Sequence, residues 1–201
     1  MALKAKDLIN NIPTEEVMDH LYKIIDKYNL KDESVKLNTI EDEDDFFFLM
    51  SFFNAQAKAV EIENFLIKEL KCKKISAGLD RGDCLSPNEK YIELKTSTTN
   101  KNDFLNIRQI RLYQDVDYYI CSFINERNLD KSAYYLLTKE EMVDEVEKCG
   151  SYTHGTKKAT DLNVNKEYSI SFPIYSNNDI TNRWNKKYRR KNIEELICDM
   201  N

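Results

Sequence analysis

The sequence contains no apolar run approaching the roughly 18 residues of a membrane-spanning helix. Its opening stretch, MALKAKDLINNIP, lacks the apolar core of a signal peptide. Together these absences point to a cytoplasmic protein with no membrane partner. The five cysteines, Cys72, Cys84, Cys121, Cys149 and Cys198, are scattered and form no CxxC pair, so neither a disulfide framework nor a zinc cage is indicated. Reduced, structural thiols are expected. The acidic residues that follow Lys31 lack the Asp/Asn/Gly spacing of an EF-hand loop and read as a solvated loop. There are two histidines, and His20, beside the apolar stripe of an amphipathic segment, is assigned no chemistry.

What is present suits a folded globular chain: 201 residues, 32% charged and 41% hydrophobic, with 9 Phe and 12 Tyr. That length fits one domain with a proper core. The expected layout is an N-terminal helical and acidic-loop region over 1–45, a core over 46–148 and a distinct final region over 149–201. The formal charge is −5, but the two signs are clustered apart: Glu41 to Asp45 (EDEDD) is acidic, whereas Arg183 to Lys191 (RWNKKYRRK) is basic. An overall negative charge therefore does not exclude a polyanionic partner.

Thr14 is placed to cap a helix over Glu15 to Tyr28, where Val17, Leu21, Ile24 and Ile25 recur at helical spacing. Lys31 to Asp45 reads as a loop, and a long helix is expected from Leu49 to Leu70 through Phe53, Ala59, Ile62 and Leu66. Glu63 lies close to that apolar stripe and asks for a partner, while Glu61 points elsewhere on the wheel. A third helix is expected over Asp103 to Tyr113, through Phe104, Ile107 and Ile110, with Gln109 and Tyr113 neighbours on one face. Strands follow at Tyr118 to Ile124 and Ala133 to Leu137, then a helix capped by Thr138, then a strand around Tyr168 to Phe172. This order predicts an α/β fold, a central mixed β-sheet flanked by helices.

The stretch Arg81 to Thr99 carries the chemistry. Ile92 and Leu94 alternate with Tyr91, Glu93 and Lys95, so Glu93 and Lys95 share one face of a strand. Ser86-Pro87-Asn88-Glu89-Lys90 is a turn-forming cluster. A hairpin closed by these five residues sets Leu85 opposite Tyr91 and Asp83 opposite Glu93, with Cβ atoms roughly 5 Å apart. Like charges that close are unfavourable unless one is protonated or a cation sits between them, and a hard divalent ion suits such oxygen ligands.

Asp83, Glu93, Leu94 and Lys95 resemble the active-site motif of the PD-(D/E)xK nuclease superfamily, in the form D-x9-E-x-K. Gln109 and Tyr113 fit a Q-x-x-x-Y pattern found beside this core in some members. The similarity runs from about Glu63 to Ile124, a region that looks like the equivalent one of type II restriction endonucleases, with Gly82 where a proline usually precedes the first acid. It implies a restriction-endonuclease-like core and a Mg²⁺-dependent, sequence-specific endonuclease of double-stranded DNA that leaves 5′-phosphates. It also implies that Asp83, Glu93 and the main-chain carbonyl of Leu94 hold Mg²⁺. Glu63 would bind a second ion or a metal-bound water, and Lys95 would orient the attacking water.

Reading bases requires groups in the DNA grooves. The candidates are Tyr152, His154, Thr156, Lys157 and Lys158 in one loop, and Arg183, Lys186 and Lys187 in the basic tail. An ordinary amphipathic terminal helix would show the same tail composition. A palindromic target would favour a homodimer, and a restriction role would pair the protein with a methyltransferase acting on the same site. Two other readings stay open: a structure-specific repair or recombination nuclease, and a non-catalytic DNA-binding module.

Overall fold

The computed structural model describes residues 15–30, 40, 42–53, 55–76, 80–98, 103–125, 129–153, 162 and 166–200. The chain divides into two compact units, Met1–Phe65 and Leu66–Asn201. The described residues of the first form helices. Helix α1 (Glu15–Lys27) buries Leu21, Ile24 and Ile25, as its spacing requires. The acidic stretch is not all loop: helix α2 runs over Glu43–Met50, and the Asp42 carboxylate caps it by accepting the Asp45 N–H at 3.0 Å. Asp45 is buried, where Lys27 (2.6 Å) and Tyr28 (3.1 Å) donate to its carboxylate. The rings of Phe46, Phe47 and Phe65 pack together at 5.0–5.2 Å between centroids.

The expected long helix is two helices. The N–H groups of Phe52 and Phe53 turn back to Leu49 and Met50, ending α2 before α3 (Ala55–Glu69) begins. The apolar residues keep a helical period across that break, which is why one helix is the natural reading of the sequence. The division between the units falls within α3.

The second unit is mixed α/β. Strands β1 (Lys73–Lys74), β2 (Cys84–Leu85), β3 (Tyr91–Thr98), β5 (Tyr118–Ile124), β6 (Ala133–Thr138) and β9 (Arg189–Arg190) form one sheet in that order. Only β3 and β5 are parallel neighbours, so the central sheet is mixed. Strand β5, YYICSFI, lies between β3 and β6 and is buried at all but its first residue, which explains its lack of alternation. Helices α4 (Lys139–Cys149), α5 (Asp179–Lys187) and α6 (Ile193–Asp199) complete this unit. The expected cap of α4 is a full capping box, in which Thr138 Oγ1 accepts the Glu141 N–H and the Glu141 carboxylate accepts the Thr138 N–H.

The connection between the parallel strands corrects the sequence reading. Phe104–Ile110 is strand β4, not a helix, and pairs with β8 (Tyr168–Pro173), which in turn pairs with β7 (Ser151–Tyr152), to form a second, three-stranded sheet. Leu105 and Ile107 are buried at the strand period of two. The register then shifts between Ile107 and Ile110, with Gln109 at φ 53°, and the extra residue returns Ile110 to the core. That bulge creates the three-residue spacing that mimics a helix. The main core lies between β5, β6, α4, α5 and the second sheet, around Phe172, Trp184 and Tyr188. All five cysteines are free. No helix among the described residues is long and apolar enough to cross a membrane.

Candidate active site

The hairpin closes as its turn residues dictate. Leu85 pairs with Tyr91 and Cys84 with Ile92, leaving Ser86 to Lys90 as the loop. The Ser86 N–H donates to the Lys90 carbonyl (2.9 Å), while Ser86 Oγ accepts the Lys90 N–H (3.0 Å). Asp117 anchors the start of β3: its Oδ2 accepts the Tyr91 N–H (2.8 Å) and its Oδ1 the Lys90 ammonium (3.1 Å). Gly82 adopts φ +78°, and a Cβ there would lie 2.6 Å from the Ile92 carbonyl oxygen. A proline, with φ fixed near −65°, cannot take this conformation.

Asp83 follows that turn and leaves the regular ladder. Its N–H donates to the Ile92 carbonyl at 2.8 Å, and its Oδ2 accepts the Leu94 N–H at 2.8 Å. The carboxylate is thus set against the peptide that joins Glu93 to Leu94. Glu93 is 4% exposed. Lys95 Nζ lies 2.6 Å from its Oε1, on the face that the alternation assigns to both, and Gln114 Nε2 donates to its Oε2 at 3.1 Å.

Glu93 pairs with Tyr119, and Lys95 with Cys121, across the parallel ladder to β5. Burial pushes the Cys121 thiol up to about 12; Lys95 acts the other way and Glu93 adds to the rise. Burial, with Glu93, likewise raises the Tyr119 phenol. Both neighbours therefore stay neutral near pH 7.

Gln114 was not foreseen. It is 6% exposed and its Oε1 is buried without a hydrogen-bond partner. Its N–H donates to the Arg111 carbonyl (3.1 Å), and the Lys139 ammonium donates to its main-chain carbonyl (2.6 Å). Arg111 is itself held by Glu167 (2.8 Å) and by the Tyr119 hydroxyl on its carbonyl (3.2 Å). The expected supporting pair is not a helix face: Gln109 is exposed at the β4 bulge and Tyr113 is exposed in the turn that follows. A single polar residue before a strand gives no sign in the sequence that it will be buried.

The carboxylates of Asp83 and Glu93 are oxygen donors, which suit a hard divalent cation such as Mg²⁺. Among the described residues no group of three or more His, Cys, Asp and Glu converges on one point. The local acid set is the two carboxylates of Asp83 and Glu93. The residues fit a cation held by two carboxylates and neutral oxygens. Glu63 belongs to the N-terminal unit, where it sits half-buried on α3.

The DNA-contact candidates fare unevenly. His154, Thr156, Lys157 and Lys158 lie outside the described residues. Tyr152 stacks on Tyr168, 5.9 Å between centroids, and the Lys166 ammonium sits 5.0 Å above its ring. Arg183 is engaged elsewhere. Its Nε and NH2 reach the two oxygens of Glu145 at 2.9 and 2.6 Å, and Trp184 Nε1 (2.8 Å) and the Tyr188 hydroxyl (3.2 Å) also donate to that carboxylate. Burial works to raise the Glu145 pKa, but these four donors outweigh it and hold the carboxyl below its ordinary 4.5. Lys187 contacts Glu141 (3.2 Å) and the Tyr188 hydroxyl (3.1 Å), while Lys186 is exposed.

No protein-family model matches the sequence, and no curated protein matches it either.

Proposed function

We propose that the protein is a Mg²⁺-dependent endonuclease of double-stranded DNA, of restriction type, with its active site on the β2–β3 hairpin. One observation carries the reading: a nearly buried glutamate, Glu93, is ion-paired with Lys95 two residues on, while Asp83 binds the peptide that follows Glu93. A hairpin serving only as scaffold gains nothing from a nearly buried glutamate, whose charge must be desolvated. The mixed central sheet and the D-x9-E-x-K spacing support the same reading.

In this scheme Asp83, Glu93 and the Leu94 carbonyl would hold Mg²⁺, which would stabilise charge on the scissile phosphate and lower the pKa of a water. Lys95 turns from Glu93 to the phosphate side and orients the attacking water, and hydrolysis leaves a 5′-phosphate. Sequence reading is assigned to the segment from Tyr152 to Lys158 and to Lys186 and Lys187. A homodimer and a methyltransferase of matching specificity complete the restriction reading.

Incubation of purified protein with plasmid and Mg²⁺ tests it. Discrete fragments, lost in Asp83→Ala, are expected. Preferential cutting of flaps or junctions would transfer the site to a structure-specific nuclease. A salt-sensitive complex that never cleaves would leave only a DNA-binding module.

A further inference from the structure

Gln114 has more to do than fill space. A carboxylate can only accept hydrogen bonds, so the amide must present its NH₂ to Glu93 Oε2, which fixes the orientation of the side chain. The same orientation leaves Oε1, on the amide that contacts the acid, as a buried acceptor without a partner. The main chain of Gln114 is held on both sides, by the Arg111 carbonyl and by the Lys139 ammonium, and the residue is buried. Buried side-chain acceptors of this kind are uncommon, and an unpaired one beside a carboxylate marks a place suited to a cation or its hydration shell.

We propose that Gln114 is a positioning residue of the metal site: its amide nitrogen orients Glu93, and its Oε1 is a neutral oxygen acceptor that helps hold the cation. This inference rests on the reading of Asp83 and Glu93 as metal ligands. It assigns a role to a residue outside the D-x9-E-x-K set, and it explains why an amide stands here. A carboxylate at this position would repel Glu93, and an apolar side chain would leave Glu93 free to turn.

The probe is Mn²⁺ alone, without DNA, titrated calorimetrically into the full chain, with a melting curve for each variant. The wild type should bind Mn²⁺, and Asp83→Ala should abolish that binding. Gln114→Leu should weaken Mn²⁺ about 10- to 100-fold, as expected for loss of an outer partner. Gln114→Glu keeps the size and reverses the sign: Mn²⁺ binds more tightly, while the metal-free protein melts lower because two carboxylates now meet. If Gln114→Leu fails to fold, Gln114→Glu decides. Mn²⁺ affinities within twofold of wild type in the folded Gln114 variants, with binding still lost in Asp83→Ala, would overturn this role and leave the metal site standing. No Mn²⁺ binding by the wild type, or equal binding by Asp83→Ala, would instead remove the metal site itself.

Discussion

Two buried glutamates in the same unit, Glu93 and Glu145, carry opposite lessons. Glu145 is fully buried and receives Arg183, Trp184 and Tyr188. Every lone pair has a donor, and the effect is to tie α5 to α4. Glu93 is almost as buried, yet it has one lysine and one amide, with Asp83 held against the next peptide and an unpaired amide oxygen alongside. A satisfied buried charge locks a fold, whereas one left partly satisfied beside a second acid is set up for a ligand.

The largest contrast should appear in cleavage. Lys95→Ala removes the residue that orients the attacking water and should lower the rate of DNA cleavage about 1,000-fold, or ~4 kcal/mol, in a single-turnover assay. Arg183→Lys, which alters the other glutamate's partner, should leave cleavage near wild type. If both variants lose activity equally, the distinction between the two sites fails.

Stability should respond the other way round. Glu145→Ala leaves Arg183, Trp184 and Tyr188 without their acceptor and should cost about 3 kcal/mol in urea unfolding. Glu93→Gln keeps a hydrogen-bonding side chain of the same size and should stay within about 1 kcal/mol of wild type.

The smallest effect sharpens the comparison through pH. The Glu145 carboxyl titrates below its ordinary 4.5 in the folded protein, so its stabilisation is complete above pH 4.5 and is lost as pH falls through the lower folded value. Glu145→Gln should therefore show a flatter loss of stability below pH 4.5 than wild type, measured as urea midpoints across the acid range. An acid limb unchanged by that substitution would show that other carboxyls govern it.

The hairpin was legible in the sequence because its causes are local. Turn-forming residues from Ser86 to Lys90 set the loop, and the loop sets the pairing of Leu85 with Tyr91. Strand β5 and the Thr138 cap were legible for the same reason. Strand β4 was not, since its bulge at Gln109 reproduces a helical spacing and only the pairing with β8 reveals the extra residue. The acidic run hid α2 because Asp42 and Asp45 find their uses in a cap and in contacts with α1. Gln114 and Glu145 were invisible because their partners are distant in sequence, 21 residues away for Glu93 and 38 for Arg183.

The most direct test of the central claim is plasmid digestion in Mg²⁺ by wild type, Glu93→Gln and Glu145→Gln, each at a temperature where its urea unfolding curve shows it folded. The hairpin account predicts discrete fragments from wild type and from Glu145→Gln, and intact plasmid from a folded Glu93→Gln. Cleavage by Glu93→Gln at the wild-type rate, or no cleavage of any DNA by the wild type, would contradict it.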